Sequence, residues 1–125
     1  MSSSRSALLL AGVLTTTGVL HFARPRPFDA LIPPALPGPA RAWTYGSGAV
    51  ELAVAAALTR PRSRRPAGLA AALLFVGVLP GNVQMAVDAH RRPASRAVRA
   101  ATLARLPLQL PLVGWGLRIF RERPR

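Results

Sequence analysis

The stretch HFARPRPFDALIPPALPGPARAWTYGSGAVELAVAAAL, residues 21–58, decides the organisation of the chain. It begins at the end of one hydrophobic run, passes through a connector, and enters a second hydrophobic run that contains a carboxylate. The connector, residues 24–41, holds six prolines, and no regular helix continues through prolines at this spacing. The stretch therefore predicts two apolar helices joined by an irregular loop. Within the loop, Phe28, Leu31 and Ile32 share one helical face and predict a single amphipathic turn in a membrane interface.

Apolar residues make up 50% of the 125-residue chain, and they are collected into blocks instead of alternating with polar residues. The blocks cover residues 6–23, 42–59, 67–87 and 100–120. Each block has roughly the 20 residues that a helix needs to cross the hydrocarbon core of a bilayer. The fold class we expect is all-α, a transmembrane four-helix bundle with a proline-rich, partly interfacial first loop. Residues 1–125 would form a single membrane domain.

The formal net charge is +13, and all 17 basic residues are arginine. On a soluble chain so high a charge would indicate nucleic-acid binding. Here the arginines lie between and beside the apolar blocks, where membrane proteins contact phospholipid headgroups. We therefore expect the lipid bilayer, and not nucleic acid, as the partner. Four crossings place both chain ends on one side, and the arginine distribution favours cytoplasmic ends in a multi-pass protein of the cell membrane.

The first block also has the layout of a signal peptide, because it follows Arg5 and has an apolar centre. Cleavage after Ala23 would place His21 three residues before the cut, where signal peptidase prefers a small side chain. A retained helix is the better interpretation.

The composition limits the chemistry that the chain could support. The absence of cysteine excludes disulfides, thiolate-bound iron–sulfur clusters and covalently attached c-type haem. Two histidines and four carboxylates are too few to predict a metal site. No nucleophile, base and orienting group occur in a recognisable pattern, so we assign no catalytic residue and expect no catalytic activity of its own. A redox role would need a bound organic cofactor, a haem with other ligands or a partner protein.

Placing a polar side chain in the hydrocarbon core of a bilayer costs free energy, so each polar residue inside an apolar block needs an explanation. Those that fall at a similar depth form a candidate polar pocket of His21, Tyr45, Ser47, Glu51, Asn82, Arg105 and Gln109. Glu51 is its central residue, and either Arg105 or His21 is its expected partner. One interpretation is a head-group site for a quinone or a similar lipid-soluble ligand, or a proton relay. The other is that these side chains hydrogen-bond the helices together, while Arg105 extends to the headgroups.

Several segments of the chain carry a resemblance to a known family. They are HF at 21–22, IPPALP at 32–37, YGSGAVEL at 45–52, PGNVQMA at 80–86 and RLPLQ at 105–109. Together they resemble the DoxX-like family of small four-helix membrane proteins, and the resemblance runs from about residue 7 to residue 120. The family pattern coincides with the residues of the candidate pocket.

The DoxX-like family takes its name from a small subunit of a thiosulfate:quinone oxidoreductase, and most members have no established activity. The resemblance therefore implies the fold and the membrane location more strongly than the chemistry. It implies an accessory subunit of a quinone-linked redox complex, with quinone as cofactor and membrane or peripheral oxidoreductase subunits as partners. The alternatives are a non-catalytic assembly or interaction module and a small transporter. The oligomeric state stays open.

Overall fold

A computed structural model describes residues 3–30, 32, 35–91 and 95–122, and within these ranges the chain has helices and no strand. The helices are α1 (Ser3–Ala23), α2 (Pro25–Asp29), α3 (Ala40–Leu58), α4 (Arg64–Gly77), α5 (Leu79–Arg91) and α6 (Arg96–Arg121). The prediction of an all-α fold is confirmed.

The third predicted helix is divided into α4 and α5, which meet at Val78. The break lies two residues before Pro80. The reason is that proline lacks the N–H that would bond the carbonyl four residues before it and also restricts the residue that precedes it. The fourth block begins earlier than predicted, at Arg96, and continues through Pro107 and Pro111 as one helix.

The proline-rich loop contains a helix where the sequence predicted a single turn. α2 spans five residues and begins with proline, which is tolerated in the first helical turn because the N–H there has no helical partner. Phe28 of the predicted apolar face lies in α2, whereas Leu31 lies outside the described residues. The loop turns at Gly38, where φ is +82°, before α3 begins.

The helices pack as two close pairs, α1 with α3 and α4 with α6, and α3 and α4 join the pairs. Each pair crosses at two glycines. A Cβ atom on Gly48 would lie 3.1 Å from the carbonyl oxygen of Gly18, and one on Gly116 would lie 2.6 Å from that of Gly68. Only glycine permits backbones to approach so closely. Gly12 of α1, by contrast, has open space around it.

The buried residues separate by polarity along the bundle. The apolar core lies towards the end that holds the start of α1 and the end of α6, and it includes Leu10, Leu14, Leu58 and Ile119. The buried polar residues other than Ser6 lie towards the opposite end. They are His21, Thr44, Glu51, Asn82, Thr102 and Gln109. This separation places the candidate site at the end of the bundle that carries α2.

Two helical segments of the described chain, Ser4–Ala23 and Arg64–Arg91, are long and apolar enough to cross a membrane by length and composition.

Candidate functional site

A buried pair of His21 and Glu51, which is an ion pair when the imidazole is protonated, joins the end of α1 to the middle of α3. His21 Nδ1 lies 3.3 Å from Glu51 Oε2, and the two residues are 9% and 7% exposed. His21 Nδ1 also lies 2.6 Å from the carbonyl oxygen of Thr17. Because a carbonyl only accepts, Nδ1 carries a hydrogen and donates it to Thr17, which leaves Nε2 to accept or to take up a proton. The Glu51 contact is therefore electrostatic and strengthens when the ring is protonated.

The packing of α1 on α3 explains why these two side chains meet. Thr44, Gly48 and Glu51 lie on the buried face of α3 at helical spacing. At Gly48 the absence of a side chain leaves room for His21, whose Cβ would be 2.7 Å from a Cβ on that glycine. The glycine thus brings the imidazole to within reach of the carboxylate one turn further along α3.

One oxygen of the carboxylate is not satisfied by hydrogen bonds. Glu51 Oε2 is buried and accepts no hydrogen bond from the described part of the chain. Buried polar atoms in folded proteins nearly always have a hydrogen-bond partner, so such an exception asks for an explanation. A donor supplied by a ligand would satisfy it, and a proton on the carboxylate would remove its charge. The pair can therefore hold a hydrogen-bonding head group or exchange a proton.

Aromatic rings cover the pair on the side of the proline-rich loop. The His21 ring stacks on Phe28 of α2, with 3.8 Å between the ring centroids and 19° between the planes. Next to it, Phe22 stacks on Tyr45 at 5.1 Å. The Phe28 contact places α2 against the buried pair, and the Phe22 contact joins α1 to α3. They also surround a polar group with apolar surface, which strengthens electrostatic interactions within the site.

Asp29 ties α2 to the start of α3. Thr44 Oγ1 donates to Asp29 Oδ1 at 2.6 Å, and Arg41 Nε donates to Asp29 Oδ2 at 2.9 Å. The Thr44 hydroxyl lowers the pKa of Asp29 below its usual range; partial burial opposes this, and the Arg41 guanidinium adds to the lowering. The guanidinium also lies 5.6 Å from the centre of the Tyr45 ring. Sequence reasoning did not identify Asp29, because its partners lie across the loop and no local pattern connects them.

Trp43 fixes the loop in a second way. Its indole Nε1 donates to the carbonyl oxygen of Pro37 at 2.8 Å, while the side chain remains 39% exposed. This is the behaviour expected of an interfacial aromatic residue with one polar and one apolar end.

The predicted pocket residues fall into two groups. His21 and Glu51 meet at the junction of α1, α2 and α3, where Tyr45 is exposed at the rim and Ser47 is half-buried. Asn82, Arg105 and Gln109 lie on α5 and α6. In the described structure the ion-pair partner of Glu51 is His21, and Arg105 contacts Met85, with 3.7 Å between Nη1 and Sδ. A single pocket that includes all seven residues stays a prediction.

Gln109 holds α6 against α4 through a hydrogen bond. Its Nε2 donates to the carbonyl oxygen of Phe75 at 3.0 Å, and the bond is buried. Phe75 lies in the last turn of α4, where carbonyls lose their helical partners at the Val78 break. The Gln109 amide therefore supplies a hydrogen-bond donor to the Phe75 carbonyl at the point where the helix is interrupted.

The described residues contain no group of three or more His, Cys, Asp and Glu side chains that could hold a metal ion.

Comparison with known proteins places the chain in one family. The model of a family described as Domain of unknown function (DUF8561) matches residues 10–120. No curated protein and no solved structure matches the chain.

Proposed function

Because the chain belongs to the family described as Domain of unknown function (DUF8561), whose description assigns no activity, we propose a function from the site and the surface. We propose an integral membrane protein of the DoxX-like type. In it α1, α3, the α4–α5 pair and α6 cross the bilayer as a four-helix bundle, and α2 lies in the interface.

The exposed surface of the helices supports this proposal. Large apolar side chains are exposed on every long helix, with Leu9 at 53%, Leu73 at 63% and Leu110 at 70%. Extensive apolar exposure of this kind marks a surface that contacts a partner or lipid. The two segments long enough to cross a membrane, Ser4–Ala23 and Arg64–Arg91, agree with a lipid environment.

The arginines support it as well, because most of those in the described chain lie in the connectors or near helix ends, and two of them donate to the last carbonyls of neighbouring helices. Arg65 Nε donates to the carbonyl oxygen of Phe120 at 2.9 Å, and Arg99 Nε donates to that of Ala89 at 3.1 Å. Arg60 and Arg62 add to the charge of the α3–α4 connector. We assign this connector and both chain ends to the cytoplasmic side of the cell membrane, in line with the excess of arginine on cytoplasmic loops.

For the activity we propose an accessory subunit of a quinone-linked membrane complex. The observation that carries this proposal is the 3.3 Å pair of His21 Nδ1 and Glu51 Oε2, in which the carboxylate oxygen has no hydrogen-bond donor among the described residues. The residues fit a quinone head group, since a quinol hydroxyl would donate to Glu51 Oε2 and His21 would hold or release a proton. Redox chemistry would come from the quinone and from the partner oxidoreductase. Phe28 would exclude water from the pair.

The test is purification from native membranes in mild detergent, followed by solvent extraction and measurement of quinone per protein. We expect bound quinone in the wild type and a clear loss in Glu51→Gln at an unchanged protein level. Asp88→Asn removes a carboxylate that accepts a bond from Gln84, and it should keep the quinone. A protein that lacks quinone in the wild type, or a Glu51→Gln variant in which protein and quinone fall together, would contradict the proposal.

The second candidate is an assembly module that stabilises partner proteins without handling a small molecule. The bond from Gln109 to the Phe75 carbonyl favours it, because this bond shows a buried polar residue used to hold helices together. It predicts that partners co-purify with the protein and that Glu51→Gln leaves them bound. The two candidates are thus separated by the same purification. A small transporter would instead show solute uptake in reconstituted vesicles.

A further inference from the structure

A groove of about 500 Å³ runs along one face of α6 beside the start of α1, away from the His21–Glu51 pair. Its lining residues are Ser6, Pro111, Gly114, Trp115 and Arg118. The four residues from α6 recur at i, i+3, i+4 and i+7, so they form a continuous stripe along one helical face.

Three features of the sequence create this groove. Gly114 has no side chain, and a Cβ placed on it would meet nothing within 4 Å. Trp115 forms a wall and is held in place by its Nε1, which donates to Ser6 Oγ at 2.7 Å. α1 packs mainly on α3, and α6 packs mainly on α4, so the seam between α1 and α6 is left shallow. The groove is therefore built into the packing of the bundle.

The chemistry of the groove changes along its length. Pro111, Gly114 and the indole ring of Trp115 provide an apolar channel. Arg118 is exposed at the other end, and it makes no hydrogen bond or ion pair within the described chain. Arg121 follows three residues later on the neighbouring turn and adds a second positive charge. At about 1.5 Å per residue, Arg118 lies on the order of 10 Å from Pro111 along the axis.

We propose that this groove binds an anionic phospholipid. An acyl chain lies along Pro111 and Gly114, and the phosphate lies on the guanidinium of Arg118. A guanidinium matches phosphate with paired N–H donors, and an arginine beside a tryptophan at a helix end is placed at headgroup depth. The inference rests on the membrane location in the proposed function and is independent of the proposed quinone.

The chain offers matched variants for the test. Arg118→Gln removes the charge at the groove, whereas Arg96→Gln removes an exposed charge at the opposite end of α6. Gly114→Leu fills the groove, and Gly12→Leu adds the same side chain at another exposed helical glycine with open space. Leucine is a better helix former than glycine, so neither glycine variant should unfold its helix.

The experiment uses full-length protein, delipidated in mild detergent and titrated with phosphatidylglycerol or with phosphatidylcholine of the same acyl chains. Native mass spectrometry counts the bound lipid. We expect phosphatidylglycerol to bind with a preference, and Arg118→Gln to weaken it by roughly fivefold to tenfold. Gly114→Leu should remove the bound lipid, while Arg96→Gln and Gly12→Leu should bind like the wild type.

Equal binding of the two lipids would overturn the proposal, as would equal losses in Arg118→Gln and Arg96→Gln. Alkaline carbonate extraction of native membranes reports on the membrane location separately. If extraction releases the protein, the membrane proposal and the lipid site both fail. If the protein stays in the membrane and shows no preference for the anionic lipid, only the lipid site fails.

Discussion

The imidazole of His21 stacks on the phenyl ring of Phe28, with 3.8 Å between the centroids. The same imidazole contacts Glu51, so the short helix α2 lies directly over a buried ion pair. Asp29, the next residue after Phe28, bonds to the first turns of α3. The position of the Phe28 ring over the pair therefore depends on the Asp29 carboxylate, which is partly exposed and takes up a proton at low pH. This arrangement makes the loop and the buried pair one unit.

The contacts of Asp29 predict that the stability of the protein falls as the pH becomes acidic. Because the folded-state pKa of Asp29 is lowered from 3.8, its contribution to stability is present above that value and is lost as the pH falls through the folded-state pKa. At neutral pH the melting temperature of Asp29→Asn should lie below that of the wild type. Melting curves in detergent from pH 7 to about pH 3 should show the difference shrinking as the pH falls.

The matched control is Asp88→Asn, whose carboxylate accepts a bond from Gln84 within α5. It should not reproduce the converging curves. A constant gap between Asp29→Asn and the wild type at every pH would contradict the role of the ionised carboxylate.

Because α1 and α3 cross at Gly48, alanine substitutions at Gly48 and at the nearby Gly46 should have opposite effects on the free energy of unfolding. A Cβ on Gly48 would lie 2.7 Å from the Cβ of His21, whereas a Cβ on Gly46 would meet nothing within 4 Å. Gly48→Ala should therefore lower the free energy of unfolding by about 1–3 kcal/mol through overpacking. Gly46→Ala should raise it by up to about 1 kcal/mol through helix propensity. Unfolding by dodecyl sulfate in mixed micelles measures both.

Equal effects of the two alanines would show that the backbones of α1 and α3 do not cross as closely as the structure places them.

The helices follow from the sequence because apolar blocks of constant length leave little choice of structure. The exceptions are local. The prolines predict a turn at 28–32, whereas the structure has α2 at Pro25–Asp29, because proline interrupts the interior of a helix but is compatible with its first turn. The break at Val78 lies before Pro80 because a proline affects the residues that precede it. The prolines therefore predict that the helix is interrupted, but they do not determine the residue at which the interruption falls.

The candidate site was less accessible to sequence reasoning. The depths of His21 and Glu51 could be read from their positions in the blocks, but Arg105 remained an equal candidate for the partner of Glu51. The choice depends on which helix faces meet, and the close approach of Gly18 and Gly48 determines that. Nothing in the sequence indicates that Gly18 and Gly48, which lie in separate apolar blocks, come into contact. A single sequence therefore identifies the polar residues more easily than it pairs them.

Because Gln109 donates to the Phe75 carbonyl, replacing it should lower the stability of the protein without changing the amount of bound quinone. Gln109→Leu leaves a buried carbonyl at the end of α4 without its donor, which typically costs about 1–3 kcal/mol. Unfolding in mixed micelles should show this loss, while quinone per folded protein should stay at the wild-type level. Gln84→Leu removes an amide that bonds within α5, and its smaller effect provides the reference.

If Gln109→Leu kept its stability and lost quinone, the amide would belong to the ligand site instead of the helix break.

The pair of His21 and Glu51 predicts energetic coupling between α1 and α3. In a double-mutant cycle with His21→Gln and Glu51→Gln, the two effects on the free energy of unfolding should fail to add by about 0.5–3 kcal/mol. The reason is that either substitution alone already removes the 3.3 Å ion pair. His90 is the matched control, because its Nδ1 also contacts a carbonyl four residues earlier, Ala86, at 2.8 Å. His90→Gln and Glu51→Gln should add. Additivity in both cycles would mean that the imidazole is held by Thr17 and Phe28 alone, and that the nearby carboxylate contributes nothing to its position.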